Sequence, residues 1–304
     1  MNVGKFWSLF FLTVLIFGVG VFVYGAAAGI WLPPLASEAG AGIDRLFMFI
    51  LWLTGVVFVA TEFALFWFLW KYNSESNAKP ARFTHGSHTL EVVWTILPAA
   101  TLLFIAIYQM NAWAESKMRV PKEDDPNVVV LEVRARQFEW RARYPGLHGN
   151  NPGERGKLGQ QGELFTVNDI HVPVNKMILV HLKSEDVLHS FFLPNMRVKQ
   201  DAVPGMNIPV WFRPVRMGTY DLACSQLCGW GHYKMMGRLT VESESDYRAF
   251  LERLDREQNA TVPSGQAAAP ANAETSNVPA PNPTASNAEI SNAAPSKVAE
   301  DKSE

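Results

Sequence analysis

The sequence predicts a membrane protein with an α-helical anchor of two or three transmembrane helices, followed by an all-β sandwich or barrel. Two observations support this fold class. Three long apolar runs, 6–30, 46–70 and 92–114, open the 304-residue chain. Beyond them, short segments alternate apolar and polar residues in the way that strands do. The anchor and the β domain are therefore expected to follow one another along the chain.

Each apolar run is long enough to cross a bilayer, which takes about 20 residues. The first and third runs contain no charged residue, and the second contains only Glu62. The second and third runs predict a transmembrane hairpin over residues 44–114. Residues 1–30 fit either a signal peptide or a first transmembrane helix, and their apolar run is longer than a signal-peptide core of about 7–15 residues.

The charged residues between the second and third runs indicate the orientation. This segment holds Lys71, Lys79 and Arg82 against the single acid Glu75. Cytoplasmic loops carry an excess of Lys and Arg, so we expect the segment to be cytoplasmic. The chain then leaves the third helix on the opposite face. We therefore expect a multi-pass membrane protein with its β domain and C-terminus on the extracytoplasmic side.

The β domain is predicted over residues 115–258. Its strand-like stretches are separated by Gly, Pro and Asn, and they lie at 128–144, 171–182, 208–215, 218–224 and 237–243. Segment 145–162 is a predicted Gly-rich loop, and an apolar stripe with helical spacing follows at 245–257. Residues 259–304 are rich in Ala, Pro, Asn and Ser without any aromatic residue, which predicts a disordered tail.

The charge balance gives no indication of a nucleic-acid partner, because the formal net charge of the chain is −2. Residues 115–258 carry 20 Lys and Arg against 19 Asp and Glu, so no bulk field would steer a basic partner. The chain has only two cysteines, too few for a disulfide framework. Both lie in one stretch, "CSQLCGWGHYKM".

This stretch places Cys224, Cys228, His232 and Met235 at short intervals, and three interpretations apply to it. A disulfide would leave His232 and Met235 without a role. Zinc accepts cysteine and histidine ligands but gains little from a thioether. Copper accepts thiolate, thioether and imidazole ligands, so a copper site would use every soft donor here.

A pair of thiolates can bridge two copper ions, with one histidine bound to each ion. Such a centre needs a second histidine from elsewhere in the chain. His189 supplies it, because it lies at the end of a strand-like run in "VLHSFFLP" (187–194). An upstream histidine joined to a downstream loop is typical of copper sites in cupredoxin-like sandwiches.

The combined pattern C-x-x-x-C-x-x-x-H-x-x-M, with "VLHSFFLP" and "KQDAVPG" upstream, resembles subunit II of the haem–copper oxidases that take electrons from cytochrome c. "LEVVWTILPA" (90–99) is similar to the start of that family's second membrane helix. The resemblance covers roughly residues 44–245. It implies that the β domain is a cupredoxin-like Greek-key sandwich.

The resemblance implies a dinuclear copper centre, called Cu-A, in this domain. The two cysteines would bridge the two copper ions, one histidine would cap each ion, and the methionine would be a weak axial ligand. The backbone carbonyl of the residue midway between the cysteines would be the remaining donor. The implied ligand set is His189, Cys224, Gln226, Cys228, His232 and Met235.

The resemblance also implies roles for residues outside the copper centre. Glu91 matches a family position near a proton entrance into the catalytic subunit. Phe138 and Trp140 stand where the family usually has Gln-Trp-x-Trp, and they are the implied residues of electron entry. We expect Phe138 to present its ring at the surface as the centre of a mainly apolar contact; the alternative is a packed strand residue.

One position departs from the family in a way that affects a second metal. Gln226 stands where the family usually has a Glu that binds magnesium at the boundary with subunit I. A neutral amide is a poorer ligand for a hard cation, so we expect magnesium there to be weak or absent. Copper needs only the backbone carbonyl of this residue.

The resemblance implies that cytochrome c docks outside the membrane, that the Cu-A centre accepts one electron, and that subunit I reduces oxygen and translocates protons. We identify no haem ligands and assign no catalytic residue, so cytochrome c oxidase activity would belong to the multisubunit complex. The expected partners are subunit I and other oxidase subunits, cytochrome c or a similar donor, and membrane lipid. The alternatives are the Cu-A subunit of a nitric oxide reductase and a membrane-anchored copper-binding module without redox function.

Overall fold

The structure is a computed structural model, and it describes residues 3–72, 83, 85–147, 158–159 and 162–259. The disordered tail expected over 259–304 lies outside the described residues except for Asn259, and most of the Gly-rich loop also lies outside them. The same is true of the loop residues Lys79, Arg82 and Glu75, on which the predicted orientation rests.

Three long helices open the chain: α1 (Val3–Ala27), α2 (Gly40–Lys71) and α3 (His88–Lys117). All three are long and apolar enough to cross a membrane. Only Ser8 and Gly40 of these helices are buried in the isolated chain, as expected for helices whose apolar surface faces lipid or other proteins. α1 packs on α2, where the buried hydroxyl of Ser8 donates a hydrogen bond of 2.9 Å to the carbonyl of Phe66.

Ten strands follow the helices and form two five-stranded sheets. They are β1 (Val128–Arg136), β2 (Glu139–Tyr144), β3 (Leu164–Val167), β4 (Asp169–Pro173), β5 (Met177–Ser184), β6 (His189–Leu193), β7 (Val198–Ala202), β8 (Ile208–Phe212), β9 (Gly218–Cys224) and β10 (Met236–Glu242). The first sheet has the order β3-β2-β1-β5-β8, and the second has the order β4-β10-β9-β6-β7. The β1–β5 and β10–β4 pairs are parallel, and the other strand pairs are antiparallel.

The core lies between the inner faces of the two sheets, because alternate side chains of each strand point inward. In β2, for example, Trp140, Ala142 and Tyr144 are buried, and the residues between them are partly exposed. A final helix, α4 (Glu244–Asn259), packs Tyr247 and Phe250 against this core. The predicted fold class, a membrane α-helical anchor with a cupredoxin-like sandwich, is confirmed.

The strand expected over 171–182 is in fact two strands that belong to different sheets. β4 ends at Pro173 and β5 begins at Met177. Asn175 lies between them with a φ of 62°, a left-handed conformation that Asn adopts more readily than most residues. The turn at 174–176 carries the chain from one sheet to the other, although the alternation of apolar and polar residues looks continuous across it in the sequence.

The sandwich is tied to the anchor next to the strand that begins with His189. Arg197 follows a short 3-10 helix (Pro194–Met196) at the end of β6, and its guanidinium contacts Asp44 of α2 through two hydrogen bonds of 2.7 and 3.1 Å. Arg197 also donates to the carbonyl of Pro33 at 2.9 Å. These bonds fix β6, and with it one side of the candidate metal centre, relative to the start of α2.

Candidate metal centre

The six residues predicted as ligands come from two neighbouring parts of the second sheet. His189 is the first residue of β6, and Cys224 is the last residue of the adjacent strand β9. The other four belong to the loop that joins β9 to β10, in which His232 opens a short 3-10 helix (His232–Lys234). A backbone hydrogen bond of 3.0 Å from the N–H of Cys224 to the carbonyl of Met235 closes this loop. We refer to residues 224–236 as the metal loop.

Two thiols lie at the middle of the cluster, with an imidazole next to each. The Sγ atoms of Cys224 and Cys228 are 3.8 Å apart. The Nδ1 atom of His189 lies 3.9 Å from Sγ of Cys224, and Nδ1 of His232 lies 3.7 Å from Sγ of Cys228. Since a disulfide has an S–S distance of about 2.05 Å, these are two free thiols and not a disulfide.

Two weaker donors complete the cluster. The thioether sulfur of Met235 is 3.8 Å from Sγ of Cys228, and the carbonyl oxygen of Gln226 is 3.2 Å from Sγ of Cys224. His189 and Met235 are completely buried, and both cysteines are nearly so. The side chain of His232 is partly exposed at the rim. The structure therefore brings all six predicted positions together in a pocket that is largely closed to water.

A carboxylate outside the cluster orients one of the imidazoles. Oδ1 of Asp186 lies 2.8 Å from Nε2 of His189, which leaves Nδ1 of this ring for the cluster. Oδ2 of Asp186 accepts a hydrogen bond of 2.7 Å from the backbone N–H of Gln137. The side-chain amide of Gln137 in turn donates to the carbonyl of Cys228 at 2.5 Å. This arrangement resembles the carboxylate–histidine pairs that hold metal-binding imidazoles in place.

The two thiols have opposite tendencies to ionise. Burial works against the charged form of Cys224, but hydrogen bonds from the imidazole of His189 and the backbone of Ser190 outweigh it and lower the pKa of this thiol. Burial and the charge of the neighbouring Cys224 raise the pKa of Cys228. A second thiolate so near the first is unfavourable unless a cation binds between them, so this pair of thiols fits a soft metal.

The structure places the predicted residues of electron entry and proton entrance elsewhere. Phe138 is partly buried and packs against the metal loop, which covers part of the ring that we expected at the surface. Trp140 is completely buried, with its ring centroid 6.3 Å from that of His189, and cannot touch a docked protein. Glu91 lies exposed in the first turn of α3, with His88 at 3.6 Å. Any role of Phe138 and Trp140 in electron entry stays a prediction, as does that of Glu91 as a proton entrance.

Sequence reasoning missed two groups of residues in this site. The first is Asp186 with Gln137, and the only available signal was an acid three residues before His189. The second is Trp230 with its two flanking glycines, whose signal was a large apolar residue inserted between closely spaced ligands. The first group supports the metal loop, and the second forms part of it.

Comparison with known proteins identifies the family. Residues 151–243 match the sequence model of the periplasmic domain of cytochrome c oxidase subunit II, and residues 25–112 match the model of its transmembrane domain. A cytochrome c oxidase subunit 2 from Cereibacter sphaeroides is 32% identical over 248 residues, which cover 74% of this chain and 80% of the relative. An alternative cytochrome c oxidase subunit 2 from Bradyrhizobium diazoefficiens is 29% identical over 257 residues, covering 80% of this chain and 90% of the relative.

Among solved structures, the chain is similar to the periplasmic domain of subunit II of the cytochrome oxidase of Bradyrhizobium japonicum. The identity is 27% and the TM-score is 0.38, with 45% of this chain and 98% of that chain covered. The two family matches and the relative with 32% identity agree with the resemblance seen in the sequence. The chain belongs to the cytochrome c oxidase subunit II family.

Proposed function

We propose that this chain is the electron-accepting subunit of a respiratory haem–copper oxidase and holds a dinuclear Cu-A centre in its metal loop. The observation that carries this proposal is the geometry of the two thiols. They lie 3.8 Å apart, are not bonded to each other, and have a separate histidine within 3.9 Å of each sulfur. A single zinc ion bound by the two cysteines and two histidines would leave the thioether of Met235 and the carbonyl of Gln226 without a role, although both lie next to the thiols.

Each donor has its own part in this proposal. Cys224 and Cys228 would hold two copper ions between them, His189 and His232 would each bind one of the ions, and Met235 would be a weaker donor. The carbonyl of Gln226 is the sixth donor. When bound, the copper pair supplies a one-electron redox couple. The chain contributes the ligand positions, the burial that keeps water from the sulfurs, and the Asp186 carboxylate that fixes one imidazole.

The proposed setting is a multi-pass protein of the bacterial inner membrane, with the sandwich outside the cytoplasm. Cytochrome c or a similar donor reaches the sandwich from outside, and subunit I lies against the anchor and reduces oxygen. Proton translocation belongs to the whole complex, and Glu91 at the start of α3 is proposed to lie near a proton entrance. The neutral side chain of Gln226 predicts that magnesium at the boundary with subunit I is weakly held or absent.

A copper carrier that exchanges its metal is a poorer fit to the cluster. Such a protein needs an open site from which a single copper ion can leave. Here His189 and Met235 are completely buried, and Cys228 is 4% exposed. Their burial favours a permanently held centre over an exchangeable one.

The proposal can be tested on the full chain purified from membranes within its complex. We expect about two copper ions per chain in this domain by metal analysis after correction for subunit I. The electron paramagnetic resonance spectrum should show one unpaired electron delocalised over two copper nuclei. If Met235 is replaced by Leu to test its role as a donor, the same replacement at Met217 is the matched control, because Met217 is an exposed methionine outside the metal loop. A signal from single, isolated copper ions would contradict the proposal.

A further inference from the structure

Four large apolar side chains of the metal loop point into solvent. They alternate along the loop with the buried donors, so that one side of the loop holds the cluster and the other side forms an exposed surface. We call this surface the apolar patch, and its members with their exposed fractions are Leu227 (77%), Trp230 (79%), Tyr233 (72%) and Met236 (53%). Single exposed apolar side chains are common on proteins, but four of them within ten residues of one loop indicate a surface that contacts another molecule.

Trp230 is held outward by a backbone that rests on the ring of Phe138. The residues on either side of it are Gly229 and Gly231, and a Cβ atom on Gly231 would lie only 2.5 Å from the Phe138 ring. Glycine is therefore required at 231 for the loop to approach the ring so closely. The rings of Phe138 and Trp230 meet edge to face, with centroids 5.1 Å apart. Phe138 thus supports the loop from below, and Trp230 forms the outer surface.

The patch carries one positive charge. Nζ of Lys234 lies 5.7 Å from the ring centroid of Trp230 and 5.4 Å from that of Tyr233. Both contacts are cation–π contacts, which hold the ammonium group at the rim of the patch. Within the part of the chain that the structure describes, no carboxylate forms an ion pair with Lys234. A partner with basic residues at this point would be opposed by Lys234.

We infer that Trp230 is the residue through which a redox partner protein contacts the metal loop and delivers its electron, and that Phe138 is a positioning residue for it. The inference rests on the proposed function. The partner is a haem protein with an apolar rim around its exposed haem edge and no basic side chain opposite Lys234. One electron leaves the docked haem, and no bond or proton is transferred.

Two features of the structure favour Trp230 over the other members of the patch. It has the largest exposed fraction of the four side chains (79%), and in the sequence it lies midway between the proposed ligands Cys228 and His232. Tryptophan at the centre of a contact surface also contributes more binding free energy than most residues, since it buries a large rigid ring. Phe138 contributes to this contact only by positioning Trp230, since the loop backbone next to Trp230 rests on its ring.

The test measures reduction of the intact complex by stopped-flow mixing with two reductants. The first is mitochondrial cytochrome c, a basic haem protein that must dock. The second is hexaammineruthenium(II), a small ion that needs no docking surface. Trp230→Leu should lower the second-order rate with cytochrome c about tenfold, which corresponds to the loss of one strong contact. Trp230→Phe should recover most of the rate, and the rate with the ruthenium complex should not change.

A second variant tests the same surface without changing Trp230. Lys234→Glu replaces the opposing charge by an attractive one, so reduction by basic cytochrome c should become several-fold faster at low ionic strength. Phe165→Ala, an exposed aromatic residue on the edge strand β3, is the matched control and should change neither rate. The copper spectrum should remain that of wild type in Trp230→Phe and Lys234→Glu.

The inference about Trp230 and the proposed function are refuted by different results. Rates within twofold of wild type for Trp230→Leu or for Lys234→Glu would overturn the inference, while the proposed function would stand. If Trp230→Leu fails to retain copper, the decision passes to Trp230→Phe and Lys234→Glu: an unchanged rate in Lys234→Glu overturns the inference, and the expected acceleration supports it. A wild-type complex without the two-copper signal would instead overturn the proposed function.

Discussion

Gly231→Ala should destabilise the metal loop because of one steric contact. The backbone of Gly231 has φ −92° and ψ 8°, a conformation open to alanine, so the substitution causes no backbone strain. The added Cβ atom would, however, lie 2.5, 2.6 and 2.8 Å from three ring atoms of Phe138. Ordinary carbon–carbon contacts are about 3.5–4.0 Å, so the loop or the ring must move by about 1 Å. The neighbouring ligand His232 would move with it.

The expected size of the effect follows from overpacking of a closed site. Such changes typically cost about 1–3 kcal/mol of unfolding free energy. For a domain of this size, 1 kcal/mol corresponds to roughly 3–4 °C in Tm, so Gly231→Ala should lower the Tm of the extracytoplasmic domain by about 3–12 °C. The measurement is thermal unfolding of the copper-loaded full chain in detergent, followed by loss of the metal-centre absorption.

A double substitution separates this steric cause from a general effect on the loop. Combining Gly231→Ala with Phe138→Ala removes the ring that the new methyl group would meet, so the pair should show a favourable coupling energy of at least about 1 kcal/mol. Gly229→Ala is the matched control. Gly229 has a φ of 132°, which strains any residue with a side chain, and Phe138→Ala should therefore not rescue it to the same extent. Additive effects of Gly231→Ala and Phe138→Ala would refute the view that the loop rests on this ring.

Three further predictions concern the metal cluster. Cys228→Ser should abolish the two-copper signal in the spectrum, because one thiolate cannot hold two metals as a delocalised pair. Met235→Leu should keep both ions but shift the reduction potential measured by redox titration, because a weak donor of this kind tunes the potential. Gln226→Ala should leave the copper signal nearly unchanged because only its carbonyl contacts the cluster, and tightly held stoichiometric magnesium in the wild-type complex would contradict our expectation for this residue. Asp186→Ala should weaken copper affinity about 10- to 100-fold by releasing the imidazole that it orients, with Glu185→Ala as the control that keeps wild-type affinity in a competition titration with a copper chelator.

The fold could be predicted because its signals are local in the sequence. The three long N-terminal helices follow from apolar runs with at most one charged residue, and strands such as β2 follow from the alternation that buries Trp140, Ala142 and Tyr144. The pairing of strands could not be predicted in the same way. The parallel pair β1–β5 places Val130 opposite Leu179, residues far apart in the chain, and no local pattern determines that choice. Two of the predicted strand-like stretches, 128–144 and 171–182, turned out to be two strands each, because a turn lies within each of them.

The ligand positions of the candidate site could also be predicted from the sequence, because most of them lie close together in it. Five of the six lie within twelve consecutive residues, so their spacing alone indicates a common centre. The hydrogen bonds that hold the centre connect three separate elements: Asp186 before β6, Gln137 between β1 and β2, and Cys228 in the metal loop. The half-buried position of Phe138 also depends on where the metal loop folds, which the alternation within its own strands does not encode.

The arginines on either side of Phe138 add little charge to the surface that a partner would meet. They lie on the outer faces of β1 and β2, and each is within ion-pair distance of an acid: Arg134–Glu132 (2.6 Å), Arg136–Glu139 (2.9 Å), Arg141–Glu139 (2.7 Å), Arg143–Glu132 (3.1 Å) and Arg143–Glu163 (3.2 Å). Glu132 is 2% exposed; burial works against its charge, but hydrogen bonds from Lys183 and Arg134 outweigh this and lower its pKa. The arginine charges are therefore largely neutralised within the sheet and project little field outward. Lys234 is then the charged group that a partner meets at the apolar patch, and a single charge at its rim implies that the association rate depends only mildly on ionic strength.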